Sequence, residues 1–321
     1  MEKKVHPELR EVFAVMPGMP ITQESIEGIR AGIAQQISQL STSSSPNVET
    51  IEKFVPGAEG NPEVRVLIHR PKAQTDVLPG IYYIHGGGYI LGTAEMFSSG
   101  CEHYAEQFNC VVVNVDYRLA PEYPYPAPIE DCYSGLKWFA DHADELNVDP
   151  ERIVVVGASA GGGLTAALTL LARDRKGPKI AAQFPLYPMI DDRCNTPSNM
   201  EITDERVWNG IGNRAAWDMY LGDLKDADDV PIYAAPARAE DYSDLPPTFT
   251  CIGDLDPFRD ETITYVQKLR QSGVPVEFHL YPGGFHGFEG FVPQASISQQ
   301  LTTTLENALK NTLHAKEAST I

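Results

Sequence analysis

The stretch GASAGGGL, residues 157–164, decides the fold class of this chain. It follows the apolar run RIVVV (152–156) and leads into a helical pattern. Ser159 therefore lies at a strand-to-helix turn within G-x-S-x-G, a pattern typical of a nucleophile elbow. In such a turn a strained backbone projects the serine Oγ beyond the sheet, and glycines at 157 and 161 avoid collisions. A turn of small residues that serves only packing is the alternative.

Short apolar runs alternate with helical patterns along the chain, which predicts an α/β fold. Several runs lack polar alternation, as expected for strands that are buried on both faces. Because strand and helix alternate, we expect a mostly parallel sheet with helices on both faces. The predicted strands are 64–69, 81–84, 110–115, 152–156, 249–252 and 276–281, and the predicted helices are 26–40, 127–143, 160–176, 260–272 and 295–313.

Two segments depart from this alternation. The N-terminal helix, with Thr22 as its predicted N-cap, ends at the linker STSSSPN (41–47). Residues 191–236 show no strong strand pattern and place tryptophans among charges. We expect the helix and this insertion to form a cap; a surface loop without a role is the alternative for the insertion.

Length, composition and net charge limit the classes of protein to which this chain can belong. The chain has 321 residues, of which 42% are hydrophobic, and a formal net charge of −19. It can bury a full core, and its charge disfavours binding to nucleic acid or anionic lipid. No apolar run reaches the roughly 18 residues that a membrane span needs, and no apolar signal segment follows the basic N-terminus. We therefore expect a cytoplasmic protein without stable membrane association.

The cysteines point to neither a disulfide framework nor a metal site. They are odd in number, scattered, and without CxxC spacing. Reduced, packed thiols are therefore expected, and no metal ligand set is predicted. The five are Cys101, Cys110, Cys132, Cys194 and Cys251.

A second motif, YIHGGGYILGT (83–93), directly follows the predicted strand 81–84. At this place an HGGG loop supplies half of an oxyanion hole, and the N–H groups of Gly87 and Gly88 are the predicted donors. The N–H group of Ala160, at the start of the helix after the serine, points at the same spot. His85 and Gly86 support the loop, and we expect His85 to make a structural hydrogen bond.

A serine hydroxyl needs a positioned base. Among the histidines that follow Ser159, His286 lies in the glycine-rich loop YPGGFHGF (281–288), just past the last predicted strand. His279 falls inside a strand and His314 in a polar tail. The acid that orients the base is expected after an intermediate strand, where Asp254, Asp256 and Asp260 occur. We expect Asp260 to cap or charge the first turn of the next helix, and Asp254 and Asp256 cannot be separated by spacing.

Five motifs in chain order resemble the hormone-sensitive-lipase-like (family IV) bacterial and archaeal carboxylesterases of the α/β-hydrolase superfamily. The resemblance covers roughly residues 50–315. At one position the chain departs from it, since Ala158 precedes the serine where the family often has an acidic residue. The motifs are HGGGY (85–89), DYRLAPEYPYPAPIED (116–131), GASAGGGL (157–164), DLDPFRDE (254–261) and YPGGFHGF (281–288).

The resemblance implies a single α/β-hydrolase domain over residues 1–321 with an eight-stranded, mostly parallel sheet. It implies a helical cap from about 1–47 and 191–236, and often a homodimer paired through the last strand. It selects Asp256 as the acid of a Ser159–His286–Asp256 triad. The resemblance also supports Gly87, Gly88 and Ala160 as the oxyanion donors.

These residues predict hydrolysis of short- to medium-chain carboxylic esters through an acyl-enzyme, with no cofactor. The partner is a small-molecule ester, and Trp208, Trp217, Phe285 and Phe288 are candidate walls of the acyl pocket. An amidase or peptidase on the same fold is one alternative. A non-catalytic small-molecule receptor on a hydrolase scaffold is the other.

Overall fold

A computed structural model describes residues 1–39, 45–73 and 76–315. Within them one eight-stranded sheet forms the centre of the molecule. The strands are β1 (Val48–Val55), β2 (Val64–Pro71), β3 (Leu78–Ile84), β4 (Val111–Asp116), β5 (Val148–Ala158), β6 (Ala182–Leu186), β7 (Thr248–Leu255) and β8 (Val276–Phe285).

Helices cover the sheet and fill the connections between strands. Short 3-10 helices cover Glu2–Lys4, Pro7–Leu9, Gly222–Leu224 and Pro236–Arg238. The α-helices are α1 (Arg10–Val15), α2 (Ile26–Gln39), α3 (Ala94–Gln107), α4 (Ala127–Asp141), α5 (Ala143–Leu146), α6 (Ala160–Asp174), α7 (Pro197–Glu201), α8 (Gly210–Leu221), α9 (Arg259–Gln271), α10 (Phe288–Phe291) and α11 (Ser296–Leu313). Among the described helices, none combines the length and apolar character needed to cross a membrane.

The strand order across the sheet is β1-β2-β4-β3-β5-β6-β7-β8. Strands β3 to β8 run parallel to one another, whereas β2 is antiparallel to both β1 and β4. The predicted α/β-hydrolase fold with a mostly parallel sheet is therefore confirmed. Parallel strands bring their carboxyl ends to one edge, and the crevice outside that edge is where such sheets bind ligands.

Several elements were not predicted from the sequence, among them two strands of the sheet and one long helix that packs on it. Strand β1 lies at the end of the sheet and carries three charged residues, so its polar pattern hid it. Strand β6 is only five residues long and contains Pro185. Helix α3 has glycine, serines and few large apolar residues, which weakens its periodicity.

The start of the N-terminal helix differs from the prediction. Helix α2 begins at Ile26, and Thr22 lies in the turn before it. In that turn the Thr22 Oγ1 accepts the Ser25 N–H at 3.2 Å, and the Ser25 Oγ accepts the Thr22 N–H at 3.0 Å. Thr22 as N-cap was therefore wrong, because the reciprocal bonds close a separate turn. Leu40 and most of the predicted linker, residues 41–44, lie outside the described residues.

A buried ion pair fixes the loop that follows β4. The Asp131 carboxylate is 2% exposed and accepts bonds from the Arg118 Nη2 at 2.7 Å, from its Nε at 2.8 Å and from its backbone N–H at 3.0 Å. The pair ties this loop to α4. Tyr117, the preceding residue, donates its hydroxyl hydrogen bond to the carbonyl of His85 at 3.0 Å.

We predict that Asp131→Asn lowers the free energy of unfolding by roughly 3 kcal/mol, because it leaves a partly buried guanidinium without its counter-charge. Chemical denaturation followed by circular dichroism measures the change. Asp141→Asn on the same helix removes one partner of the exposed Lys137 pair and serves as the control, expected within about 0.5 kcal/mol of the wild type. Equal losses in the two variants would contradict the importance of the buried pair.

Candidate active site

The carboxyl edge of the sheet brings the predicted nucleophile, base and acid together. Ser159 follows β5, Asp256 follows β7 and His286 follows β8. The Ser159 Oγ lies 2.9 Å from the His286 Nε2, and the His286 Nδ1 lies 2.7 Å from the Asp256 Oδ2. Residues separated by 30 and 127 positions thus form one hydrogen-bonded chain.

The backbone at Ser159 has φ 58° and ψ −120°, a strained conformation for a residue with a side chain. Two close approaches force this turn. A Cβ on Gly157 would lie 2.2 Å from the carbonyl oxygen of Gly161, and a Cβ on Gly161 would lie 2.1 Å from that of Ile84. Only glycine fits at these positions, so β5 can pass directly into α6 with the serine at the apex.

The structure separates the two candidate acids. The Asp256 side chain is buried, and its Oδ1 accepts the Phe258 N–H at 2.9 Å while its Oδ2 faces His286. The Asp254 side chain is 43% exposed and lies 3.8 Å from Arg259. Asp256, and not Asp254, is therefore in place to hold the imidazole.

Aromatic rings enclose the imidazole of His286. Tyr187 and Phe258 each meet it edge-on, with centroids 5.1 Å away at 78° and 89°. Trp208 lies 6.3 Å away. The two other candidate histidines lie elsewhere: His279 pairs with Glu277 on β8, and the His314 ring faces the Phe108 carbonyl.

The glycine loop lies beside the serine. Gly87 has φ 125° and Gly88 has φ 62°, both in the region that favours glycine. The Gly87 carbonyl accepts the N–H groups of Ile90 at 3.1 Å and Leu91 at 2.8 Å, which closes the turn. Ala160 is the first residue of α6, so its N–H has no carbonyl partner within the helix. These are the three positions predicted to supply oxyanion donors.

His85 lies beneath this loop and is fully buried. Its ring stacks on Tyr117 with centroids 4.2 Å apart, and its Nδ1 lies 2.8 Å from the carbonyl oxygen of Gly86. Burial lowers the pKa of His85 below its usual range, so the neutral ring donates its Nδ1–H to that carbonyl. A Cβ on Gly86 would lie 2.8 Å from the Ala158 carbonyl, which shows how closely the loop approaches the elbow.

The N-terminal segment and the 191–236 insertion contact each other above this edge. The Met19 N–H donates to the Glu205 carbonyl at 3.0 Å, and the Arg206 guanidinium lies 4.1 Å from the Phe13 ring centroid. Trp208 reaches down to the glycine loop, where a Cβ on Gly88 would lie 2.3 Å from its ring. The Trp208 ring thus covers the space between Gly88 and His286.

Two contacts that sequence reasoning missed anchor these segments to the sheet edge. Arg30 of α2 donates to the carbonyls of Ile90 at 2.9 Å and Ala120 at 2.7 Å. Asp260, in the first turn of α9, accepts the Ser198 N–H of α7 at 2.8 Å. The sequence showed Asp260 near a helix start, but no local pattern identifies a partner 62 residues away.

Within the described part of the chain, no group of three or more His, Cys, Asp or Glu side chains is arranged to hold a metal ion. The side chains that meet at the sheet edge have the geometry that nucleophilic catalysis uses. A hydroxyl on a strained turn faces an imidazole, and the imidazole faces a buried carboxylate.

Comparison with known proteins places this geometry in a family. A family model described as alpha/beta hydrolase fold matches residues 81–290. The chain belongs to the α/β-hydrolase family. Carboxylesterase NlhH of Mycobacterium tuberculosis is 36% identical to this α/β-hydrolase over 300 residues, which cover 92% of the chain and 93% of that protein. The predicted membership of the hormone-sensitive-lipase-like branch is confirmed.

Solved structures agree with this assignment. A bacterial heroin esterase superimposes on this α/β-hydrolase with a TM-score of 0.92 and 38% identity, covering 97% of this chain and 98% of that one. Esterase LipW from Mycobacterium marinum gives a TM-score of 0.88 and 33% identity, covering 98% and 97%. The chain therefore matches these two esterases over almost its whole length.

Proposed function

We propose that Ser159, His286 and Asp256 form the catalytic triad with which this protein hydrolyses carboxylic esters of short to medium acyl chain. Ester hydrolysis is the activity that its carboxylesterase relatives and esterase structures support. The observation that carries the residue assignment is the hydrogen-bonded chain from the Ser159 Oγ through the His286 ring to the buried Asp256 carboxylate.

The reaction follows from this geometry. The His286 Nε2 takes the proton of the Ser159 hydroxyl as the Oγ attacks the ester carbonyl, and Asp256 stabilises the imidazolium that forms. Collapse of the tetrahedral intermediate breaks the bond to the alcohol, which leaves with the proton from His286. Water then enters, gives a proton to His286, and attacks the acyl-enzyme; release of the acid returns the proton to Ser159.

The negative charge that develops on the carbonyl oxygen needs donors. We assign these to the backbone N–H groups of Gly87, Gly88 and Ala160. The positive φ of both glycines and the position of Ala160 at the N-terminus of α6 support this assignment. His85 holds the loop through Gly86 and takes no part in proton transfer.

Ser159→Ala is expected to lower kcat on 4-nitrophenyl butyrate by at least ~10³-fold, because it removes the nucleophile. Asp256→Asn is expected to lower kcat by roughly 10⁴-fold, since it disturbs the tautomer of His286. Asp254→Asn is the matched control and is expected to keep near-wild-type kcat. Wild-type turnover in Ser159→Ala, or a larger loss in Asp254→Asn than in Asp256→Asn, would contradict the triad.

We also propose that Trp208 limits the acyl chain. Its ring covers the space between Gly88 and His286, and a cavity of about 140 Å³ beside the imidazole is walled by Trp208, Val207, Ile21 and Met19. So small a space suits a compact group. The other candidate walls, Trp217, Phe285 and Phe288, are almost fully buried and serve the core.

Trp208→Ala is expected to raise the ratio of kcat/KM for the octanoate over the butyrate ester by about tenfold or more, because removing the ring opens room for several methylenes. A series of 4-nitrophenyl esters from acetate to decanoate measures this ratio. Met200→Ala, at an exposed position of the same insertion, is the control. An unchanged chain-length profile in Trp208→Ala would remove Trp208 as the limiting wall.

We infer that the N-terminal segment and residues 191–236 act as one cap on a single catalytic domain. Their mutual contacts at Met19, Glu205, Phe13 and Arg206 support this division. The contacts of Arg30 with the glycine loop link the cap to the site. Limited proteolysis that released residues 1–39 without loss of activity would contradict a shared role.

A homodimer through β8 is a further proposal. Strand β8 ends the sheet, and its outer edge has no neighbouring strand in the described chain, while Leu280 is 41% exposed. Such an edge is suited to pairing with a second copy across a two-fold axis. Sedimentation velocity is expected to give twice the chain mass for the wild type and one chain mass for Leu280→Glu. A monomeric wild type would refute this assembly.

We propose a cytoplasmic location. All five cysteines lie within the described residues, and each is buried and unpaired, which suits a reducing compartment. Fractionation of cells that express the protein tests this proposal, and recovery outside the cytoplasmic fraction would contradict it.

A further inference from the structure

A carboxyl group that the hydrolytic steps leave unused lies close to His286. It belongs to Glu289 in α10, three residues after the histidine. Its Oε1 accepts a hydrogen bond from the Tyr187 hydroxyl at 2.5 Å. Its Oε2 is buried and has no hydrogen-bond partner within the described residues. Burying a carboxyl costs free energy, so its retention beside an active site requires a physical reason.

Tyr187 connects this carboxyl to the imidazole. Its hydroxyl donates to Glu289, and its ring meets the His286 ring edge-on at 5.1 Å. The backbone of Tyr187 has φ 34°, rare for a residue with a large side chain, and its N–H donates to the Cys251 carbonyl at 2.8 Å. The turn after β6 therefore holds this ring in place at the cost of local strain.

We propose that Tyr187 and Glu289 are positioning residues for His286, in which Tyr187 fixes the imidazole from one side and the Glu289 carboxylate stabilises its protonated form. The inference rests on the proposed function, since it concerns the same base. Asp256 orients the ring through the Nδ1, whereas this pair acts on the side that faces β6 and α10. Asp256 and Glu289 thus both stabilise the positive charge that develops on the His286 ring during catalysis.

Two sets of contacts act on the ionisation of Glu289 in opposite directions. Burial, together with the charge of Asp256, raises the pKa of the Glu289 carboxyl above its usual range, while the Tyr187 hydrogen bond and the charge of His286 oppose this rise and favour the ionised form. Because coupling between two sites is reciprocal, an ionised Glu289 favours the imidazolium to the same extent. Burial raises the pKa of Tyr187 well above its usual range, so its hydroxyl stays protonated and can donate.

Other titratable groups face this pair from several elements. The phenols of Tyr83 and Tyr104 and the thiol of Cys251 remain neutral, because burial raises the pKa of each. Asp256 faces His286 from the loop after β7. Glu205 and Arg206 line the small cavity beside the imidazole with opposite charges. Glu289 is therefore a second buried carboxyl group, besides Asp256, that interacts electrostatically with His286.

Glu289→Gln tests the charge while keeping an oxygen acceptor for Tyr187. We expect the acid limb of the kcat/KM–pH profile to move to lower pH by about 0.5–1 unit, because removing a nearby negative charge favours the neutral imidazole. The plateau kcat is expected to fall by up to about tenfold, with KM unchanged. Glu277→Gln, an exposed change of equal charge on β8, is the control and should superimpose on the wild type.

Tyr187→Phe keeps the ring against His286 and removes only the hydroxyl. Glu289 then loses its donor and takes up a proton more readily, so the acid limb should move in the same direction. This variant decides the question if Glu289→Gln does not fold. Wild-type profiles in either folded variant would overturn the inference. The Ser159→Ala variant separates the two proposals. Wild-type turnover in Ser159→Ala would contradict the triad, whereas unshifted pH profiles in the Glu289 and Tyr187 variants would contradict only the role of this pair.

Discussion

The site depends on one backbone constraint, the strained turn with positive φ at Ser159 between β5 and α6. Glycines at 157 and 161 allow the strand and helix to meet at carbonyl distances that no side chain would fit. The turn places a hydroxyl at the sheet edge and a helix N-terminus directly behind it. The proposed nucleophile and one proposed oxyanion donor, Ala160, are therefore positioned by the same few residues, and loss of that turn would displace both.

The parallel sheet then supplies the remaining groups. Three further strand ends deliver the glycine loop, Asp256 and His286 to the same edge. Each is held by further contacts: the Tyr117 ring stacks on His85, the backbone N–H of Phe258 donates to the Asp256 carboxylate, and the Tyr187 ring packs on His286. The side chains of the proposed triad are thus supported by buried aromatic and polar groups, which limit the motion of the proposed base.

Sequence patterns could predict the parts of this arrangement that are local. Each motif sits at a strand end, where short-range rules for glycine, chain order and strand pattern apply, so the fold class and the strand-end residues were predictable. Spacing alone left Asp254 and Asp256 equivalent. The family resemblance selected Asp256, and burial and the contact with His286 separate the two in the structure. Strand β1 was missed because an edge strand with one neighbour carries a polar pattern.

Contacts between distant segments account for what the sequence could not reveal. Three hydrogen bonds join residues that lie 60 to more than 100 positions apart. They run from Ser198 to Asp260, from Arg30 to the carbonyl of Ile90 in the glycine loop, and from Tyr187 to Glu289. No local sequence pattern predicts such partners, because nothing in the neighbouring sequence distinguishes these residues from other polar residues of loops and helices. Trp208 was proposed as a pocket wall from composition, but its place over Gly88 required coordinates.

The most direct test of the central claim is mass spectrometry of the native protein after reaction with a fluorophosphonate. The account predicts one adduct, carried by the peptide that contains Ser159, at a rate that falls as His286 becomes protonated. An adduct on another residue, or stoichiometric labelling that survives Ser159→Ala, would contradict it.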